Sequence, residues 1–327
     1  MLGDNAMKTS TRGGPVLSPG KLALGGALIA LGLAAPFLIY PTFLMKALCF
    51  AIFAMAFNLL IGYVGLLSFG HAAFFGFAGY LAGHSLKIWG LPTELGLILA
   101  TVASAALGTG FGWLAIRRQG IYFAMITLAL SQVIYFVALQ APQTGGEDGL
   151  QAIPRGTLLG FIDLSDNLTL YYTVFGIFLA CFALMARIVH SPFGEVLRAI
   201  RDNEPRAVSL GYKADQYKLL AFTLSAGLSG LAGALKAVVF QIASLSDVHW
   251  HASGEVVLMT LLGGIGTALG PIAGAFAYTA LQNYLAPFGS WVFIIQGAVF
   301  VICVLLFRDG LVGLAGRTWR YFSKSSS

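Results

Sequence analysis

The chain has 327 residues, of which 58% are hydrophobic and 10% charged, with a net charge of +6. Soluble domains carry about a quarter of their residues as charges, so this composition excludes a water-solvated globule and sends the excess apolar area into lipid. The positive balance does not point to nucleic acid, because Lys and Arg gather at the ends of apolar runs rather than on one face.

In chain order, residues 1–20 are polar and basic and are expected to form a cytosolic tail. The apolar run that follows continues past Pro36 and meets a second run at once, which fits an uncleaved anchor rather than a signal peptide. Runs at 22–40, 43–62, 66–83, 95–116, 121–140, 168–189, 219–242 and 291–307 approach the roughly 20 residues that a spanning helix needs. No alternation of period two recurs, so a β-barrel does not fit. The expected fold is all-α: a polytopic integral membrane protein with about eight spanning helices plus a re-entrant, discontinuous segment. Cys49, Cys181 and Cys303 stand singly inside apolar runs, which argues against a disulfide framework or a Cys-based metal site.

The third run, "GLLSFGHAAFFGFAGYLAG" (65–83), interleaves glycines with Ser68 and His71. His71 reads as the one ionisable residue well inside a span. It either belongs to a pathway or is a neutral imidazole bonded to a neighbouring helix. The segment 141–167 carries Glu147, Asp148, Asp163 and Asp166 against a lone Arg155 and is expected to be an external loop. Arg117, Arg118, the basic residues between Arg187 and Lys218, and Arg308, Arg317, Arg320 and Lys324 then all lie inside, with both termini cytosolic.

Residues 191–215 form a charged island containing "SPFGEVLRAIRDNEPRAVSLGYK". Ser191 is a fair N-cap, Pro192 suits the first helical position and Gly211 suits a left-handed stop. Val196, Leu197 and Ile200 share one helical face, with Arg198, Arg201 and Asp202 away from it. Glu204 and Pro205 then begin a second short turn. A helix of this kind either lies among lipid headgroups or enters the groove of a cytosolic partner, and its mixed charges favour a protein.

Two histidines two apart, His249 and His251, are a weak metal signal and better suit an outer loop with Trp250 at the interface. The apolar stretch over 253–286 is interrupted by "LLGGIGTALGPIAGA" (261–275), where Pro271 among glycines makes a continuous helix costly. It must enter and leave by the same side, or the basic C-terminal tail, 315–327, would end outside. Gly-interrupted segments in both halves of a chain point to a transport pathway. No span carries Asp or Glu at mid-depth, Glu94 and Glu255 sitting at segment ends, so proton coupling is disfavoured. No phosphate-binding loop occurs either, so any ATP must act through a partner.

Three stretches carry a resemblance to a known family: "NLLIGYVGLLSFGHAAFFGFAGY" from Asn58, "EVLRAIRDNEPRAVSLGYKADQYKLLAFTLSAGLSGLAGAL" from Glu195, and "GEVVLMTLLGGIGTALGPIAGA" from Gly254. The chain resembles the inner-membrane permeases of branched-chain amino-acid ABC importers, in particular their LivM-type subunit. The resemblance implies a permease domain over 21–314 in a bacterial cytoplasmic membrane. It also implies a heterodimer with a LivH-type permease subunit, two cytosolic ATP-binding subunits and an external substrate-binding protein, with membrane lipid around it and no nucleic acid. By the same resemblance Glu204, Ala207 and Gly211 match the ATPase-coupling element, although Pro205 follows the Glu and no later Leu-Pro appears, and Arg198 and Arg201 of the island are expected to take part in the coupling with them. Ser68, His71, Gly263, Gly264 and Gly266 are the expected lining of the path. No catalytic, cofactor or metal residue is expected. Permeases for urea, short amides or other amino acids, an ATP-independent channel, and a membrane-embedded enzyme are the alternatives.

Overall fold

The computed structural model describes residues 26, 29–158, 160, 162–289, 291, 294–298, 301 and 310. The tails 1–20 and 315–327, the start of the run 22–40 and most of the run 291–307 lie outside the described residues.

Helix α1, Pro41–Asn58, starts at Pro41, where the missing N–H costs nothing, and passes into a turn of π-helix, Leu59–Val64. Together they cover 24 residues, or about 36 Å, enough to cross a bilayer. This helix is the centre of the bundle: 94% of its most apolar window is buried. Packed around it are α5, Asn167–Val189; α8, Ala214–Phe240; α10, Trp250–Gly263; and α11, Gly270–Leu285. Helices α2, His71–Lys87, and α3, Thr93–Ala115, pack on α8. Helix α4, Ile121–Gln140, is peripheral, with 28% of its window buried and Ile121, Tyr122, Met125, Val133, Phe136 and Val137 exposed.

Lipid is as apolar as leucine, so contact between these helices rests on close packing and hydrogen bonds rather than on hydrophobic burial. Ser104 Oγ on α3 donates to Ala226 O on α8 at 2.9 Å, and Ser225 Oγ on α8 donates to Ala56 O on α1 at 2.5 Å. Among the described residues, five helices are long and apolar enough to cross a membrane, which gives the polytopic all-α class.

The expected run 66–83 begins differently. Residues 65–70 are not helical, and α2 starts only at His71 and continues to Lys87. The N–H groups freed by the break find side chains instead: Phe69 N donates to Thr127 Oγ1, Gly70 N to Ser68 Oγ and Ala72 N to Ser253 Oγ. The expected run 219–242 begins earlier, at Ala214, because Lys218 is paired and buried rather than flanking the helix.

Between Gly263 and Gly270 the chain reverses, so α10 and α11 form a hairpin. They approach so closely that a Cβ on Gly274 would lie 1.8 Å from Met259 O. One end of the bundle gathers the hairpin loop, the π turn, α6 (Pro192–Asp202) and α7 (Glu204–Ser209). The opposite end carries residues 141–166 and two short antiparallel strand pairs. β1, Leu150–Gln151, pairs with β4, Ile242–Ala243, and β2, Thr157–Leu158, pairs with β3, Ile162–Asp163. Between β4 and α10, the four-residue α9, Leu245–Val248, packs on α2.

Candidate functional site

Helix α6 begins as its sequence prescribes. Ser191 Oγ accepts from Gly194 N at 3.4 Å and Pro192 occupies the first turn. Its inner face buries Gly194, Leu197 and Ile200. Asn203 ends it and caps α7, its Oδ1 accepting from Arg206 N at 3.0 Å, and Gly211 follows in the left-handed region at φ +92°. Ala207 is buried between α6 and the start of α8.

Asp202 stands exposed as the helical wheel puts it, but the two arginines also reach back onto the bundle. Arg198 turns back to donate to Val189 O at 3.2 Å and lies over the Tyr63 ring, 5.3 Å from its centre. Arg201 donates to Gly62 O at 2.5 Å while its other nitrogens hold Asp202 at 2.9 Å. Long arginine stems fold onto apolar surface and carry the guanidinium to unsatisfied carbonyls, which a wheel cannot foresee. Glu204 binds Lys218 at 2.5 Å and Gln119 Nε2 at 2.7 Å. The Lys218 side chain is 3% exposed, so this pair fastens α7 to α8. The outward surface of the knob mixes exposed charges, Glu195, Arg206 and Lys213 among them, with apolar groups: Val208, Leu210 and Tyr212 are 53%, 70% and 40% exposed.

Beneath the knob, Gly62 lies where a side chain has no room. A Cβ there would stand 2.5 Å from Asn58 Oδ1 and 2.7 Å from Gly266 N. Asn58, the last residue of α1, clamps the hairpin loop from both sides of its amide. Its Oδ1 accepts from Gly266 N at 2.9 Å and its Nδ2 donates to Thr267 O at 3.0 Å. Thr267 in turn accepts from Gly270 N at 3.0 Å, starting α11. A continuous chain of contacts therefore runs from α6 through Arg201, Gly62 and Asn58 to the loop holding Gly264 and Gly266. Sequence reasoning missed Asn58; an asparagine at the end of an apolar run, just before a Gly-containing stretch, was the available signal.

Ser68 and His71 are fully buried. His71 Nε2 meets Ser225 Oγ at 2.9 Å, and its ring lies edge-on to Phe57, Phe74 and Phe222. The first residue of α2 is thereby fixed between α1 and α8. Gly263, Gly264 and Gly266 lie at the hairpin tip, Gly263 packed on Gly270 and Gly266 bonded to Asn58. His249 caps α10 and stacks with Trp250 and His251; burial and then the neighbouring His251 push its imidazole below the ordinary histidine range.

The chain matches the family described as branched-chain amino acid transport system, permease component, over residues 39–304. It is 26% identical over 313 residues to the high-affinity branched-chain amino acid transport system permease protein LivM of Salmonella typhimurium, covering 88% of this chain and 73% of that one. The LivM protein of Escherichia coli shares the same identity and coverage. The autoinducer 2 import system permease protein LsrC of Salmonella paratyphi B is 31% identical over 215 residues, 62% of this chain and 57% of the relative. No solved structure gives a significant match.

Proposed function

Because the chain belongs to the branched-chain amino acid transport system permease family, we infer that it is the LivM-type membrane subunit of an ATP-driven importer moving branched-chain amino acids inward across the cytoplasmic membrane. The observation that carries this reading is the contact chain from the α6–α7 knob, through Arg201 and Asn58, to the hairpin loop. A channel has no need of such a linkage. An importer does, since work done by ATPase subunits must reach the path.

In this reading the knob lies in the cytosol, and two ATP-binding subunits grip Val208, Leu210 and Tyr212, the apolar groups it exposes. When they close on nucleotide, α6 shifts, Arg201 moves the π turn, and Asn58 carries the displacement to Gly264, Gly266 and Thr267. Hydrogen bonds from Asn58 hold the tip of the hairpin, and tight Gly contacts between α10 and α11 make the two helices one body. A LivH-type second permease completes the path and an external binding protein delivers the solute. Arg198, Arg201, Glu204, Ala207 and Gly211 then build and orient the knob rather than form its outermost contact surface. Ser68 and His71 support the start of α2, and the path falls to Gly263, Gly264 and Gly266.

The test is reconstitution of the whole complex in proteoliposomes. L-leucine uptake is expected only with ATP on the ATPase side and the loaded binding protein on the other. Uptake at the same rate without nucleotide would make the protein a facilitator and overturn the reading.

A further inference from the structure

Far from the knob, the bundle holds a second set of charges drawn from six helices. Lys46 on α1 donates from Nζ to Gln282 Oε1 on α11 at 2.7 Å. Lys236 on α8 pairs with Asp247 on α9, both side chains 17% exposed. Glu255 on α10 interacts with the Tyr278 hydroxyl on α11 and lies in the field of both lysines. The Tyr80 hydroxyl on α2, beside Asp247, is buried and has no hydrogen-bond partner. Lys46 and Lys236 lie over the rings of Phe50 and Phe75, 5.9 and 5.8 Å from their centres. Along α1, Lys46 is about 18 Å from Asn58 and about 8 Å from the start of the helix at Pro41.

Two of these ions are unmatched. Among the described residues, Lys46 and Glu255 form no ion pair; each is met by a neutral partner, Gln282 or Tyr278. A half-buried cation and a half-buried anion without ionic partners are costly inside a membrane protein, and such residues mark the route of a solute. A cation and an anion in one another's field, each met by a neutral, displaceable partner, are complementary to a ligand that carries the opposite pair. We propose that Lys46 and Glu255 form a binding site for an α-amino acid zwitterion. Lys46 takes the carboxylate, aided by Lys236, and Glu255 takes the ammonium, with the buried Tyr80 hydroxyl as a further polar contact and Phe50 and Phe75 as apolar lining. This proposal rests on the reading of the chain as an amino-acid permease, and adds where and by which charges the solute is held. Because Glu255, Tyr278 and Gln282 belong to the hairpin whose tip Asn58 clamps, occupancy of the site and movement of the knob bear on one body.

The experiment uses the complete transporter in proteoliposomes with L-leucine as solute. Lys46→Gln and Glu255→Gln are each expected to lower uptake by about tenfold or more, since each leaves one charge of the solute unmatched. Lys46→Arg and Glu255→Asp retain most of it. On the unmutated complex, leucine is expected to slow modification of Lys46 by a water-soluble amine reagent. Neither 4-methylpentanoate, which lacks the ammonium, nor isoamylamine, which lacks the carboxylate, protects it. If a variant fails to assemble, the protection measurement decides. Normal leucine uptake by both neutral variants, or no protection of Lys46 by leucine, overturns the site and leaves the permease reading standing. A wild-type complex that moves no amino acid defeats the permease reading itself, and the site with it.

Discussion

Asn58 uses both ends of its amide on a loop more than two hundred residues away, donating to Thr267 O and accepting from Gly266 N. Replacement by aspartate keeps the size and the acceptor but removes the donor and sets a carboxylate oxygen against the Thr267 carbonyl. Asn58 is 3% exposed, so the Thr267 carbonyl loses its partner with little access to water. Asn58→Asp is expected to cost about 1–3 kcal/mol of stability, read as a lower melting temperature of the purified complex. It is also expected to lower leucine uptake more than ATP hydrolysis, because the ATPases still engage the knob while the tip no longer follows. Equal losses in the two rates would mean that Asn58 supports the fold without linking the parts. The partners were not legible beforehand. Gly266 stood out in its Gly-rich stretch, but Gly62 is an unremarkable glycine until the fold brings both within a side chain's width of Asn58, and Arg198 and Arg201 bond to backbone carbonyls, which leave no mark in a sequence.

Helices α6 and α7 show the other side of that contrast. Their ends follow from local chemistry: Ser191 caps, Pro192 starts and Gly211 stops, each readable from the residues alone, whereas the Asn203 cap of α7 was not read. Pair Glu204–Lys218 was not, because Lys218 looks like the basic flank of a span until its partner is seen. The structure separates two kinds of residue in the knob. Glu204→Gln strips the partner from a buried lysine and is expected to destabilise the complex by about 3 kcal/mol, loosening α7 from α8. Limited proteolysis near residue 204 should accelerate accordingly. Leu210→Asp, at a position 70% exposed, should leave stability within about 0.5 kcal/mol. It should nonetheless abolish co-purification of the ATPase subunits, since a charge then faces an apolar groove. Retained ATPase binding by Leu210→Asp would remove the exposed apolar patch from the docking surface.

At the scale of the whole molecule, composition alone fixed the solvent, and apolar runs placed α3, α4 and α5 within a few residues of their observed limits. The runs did not reveal that α2 starts late, at His71, nor that its freed N–H groups depend on Thr127 and Ser253 from α4 and α10. They also hid Lys46 and Lys236, since one charge in twenty apolar residues barely changes a run, whereas the fold sets both beside Asp247 and Glu255. Helix α1 joins the two regions. Its Lys46 end holds the charge cluster and its Asn58 end holds the hairpin tip, so a solute and a cytosolic motor would act on opposite ends of one buried rod. This arrangement works as an importer only if the knob faces the cell interior. The direct test is cysteine labelling of Leu210→Cys in a protein whose Cys49, Cys181 and Cys303 are replaced by alanine. A membrane-impermeant maleimide should leave position 210 untouched in intact cells, label it in inside-out vesicles, and be blocked there by the bound ATPase subunits. Labelling in intact cells would place the knob outside and contradict the account.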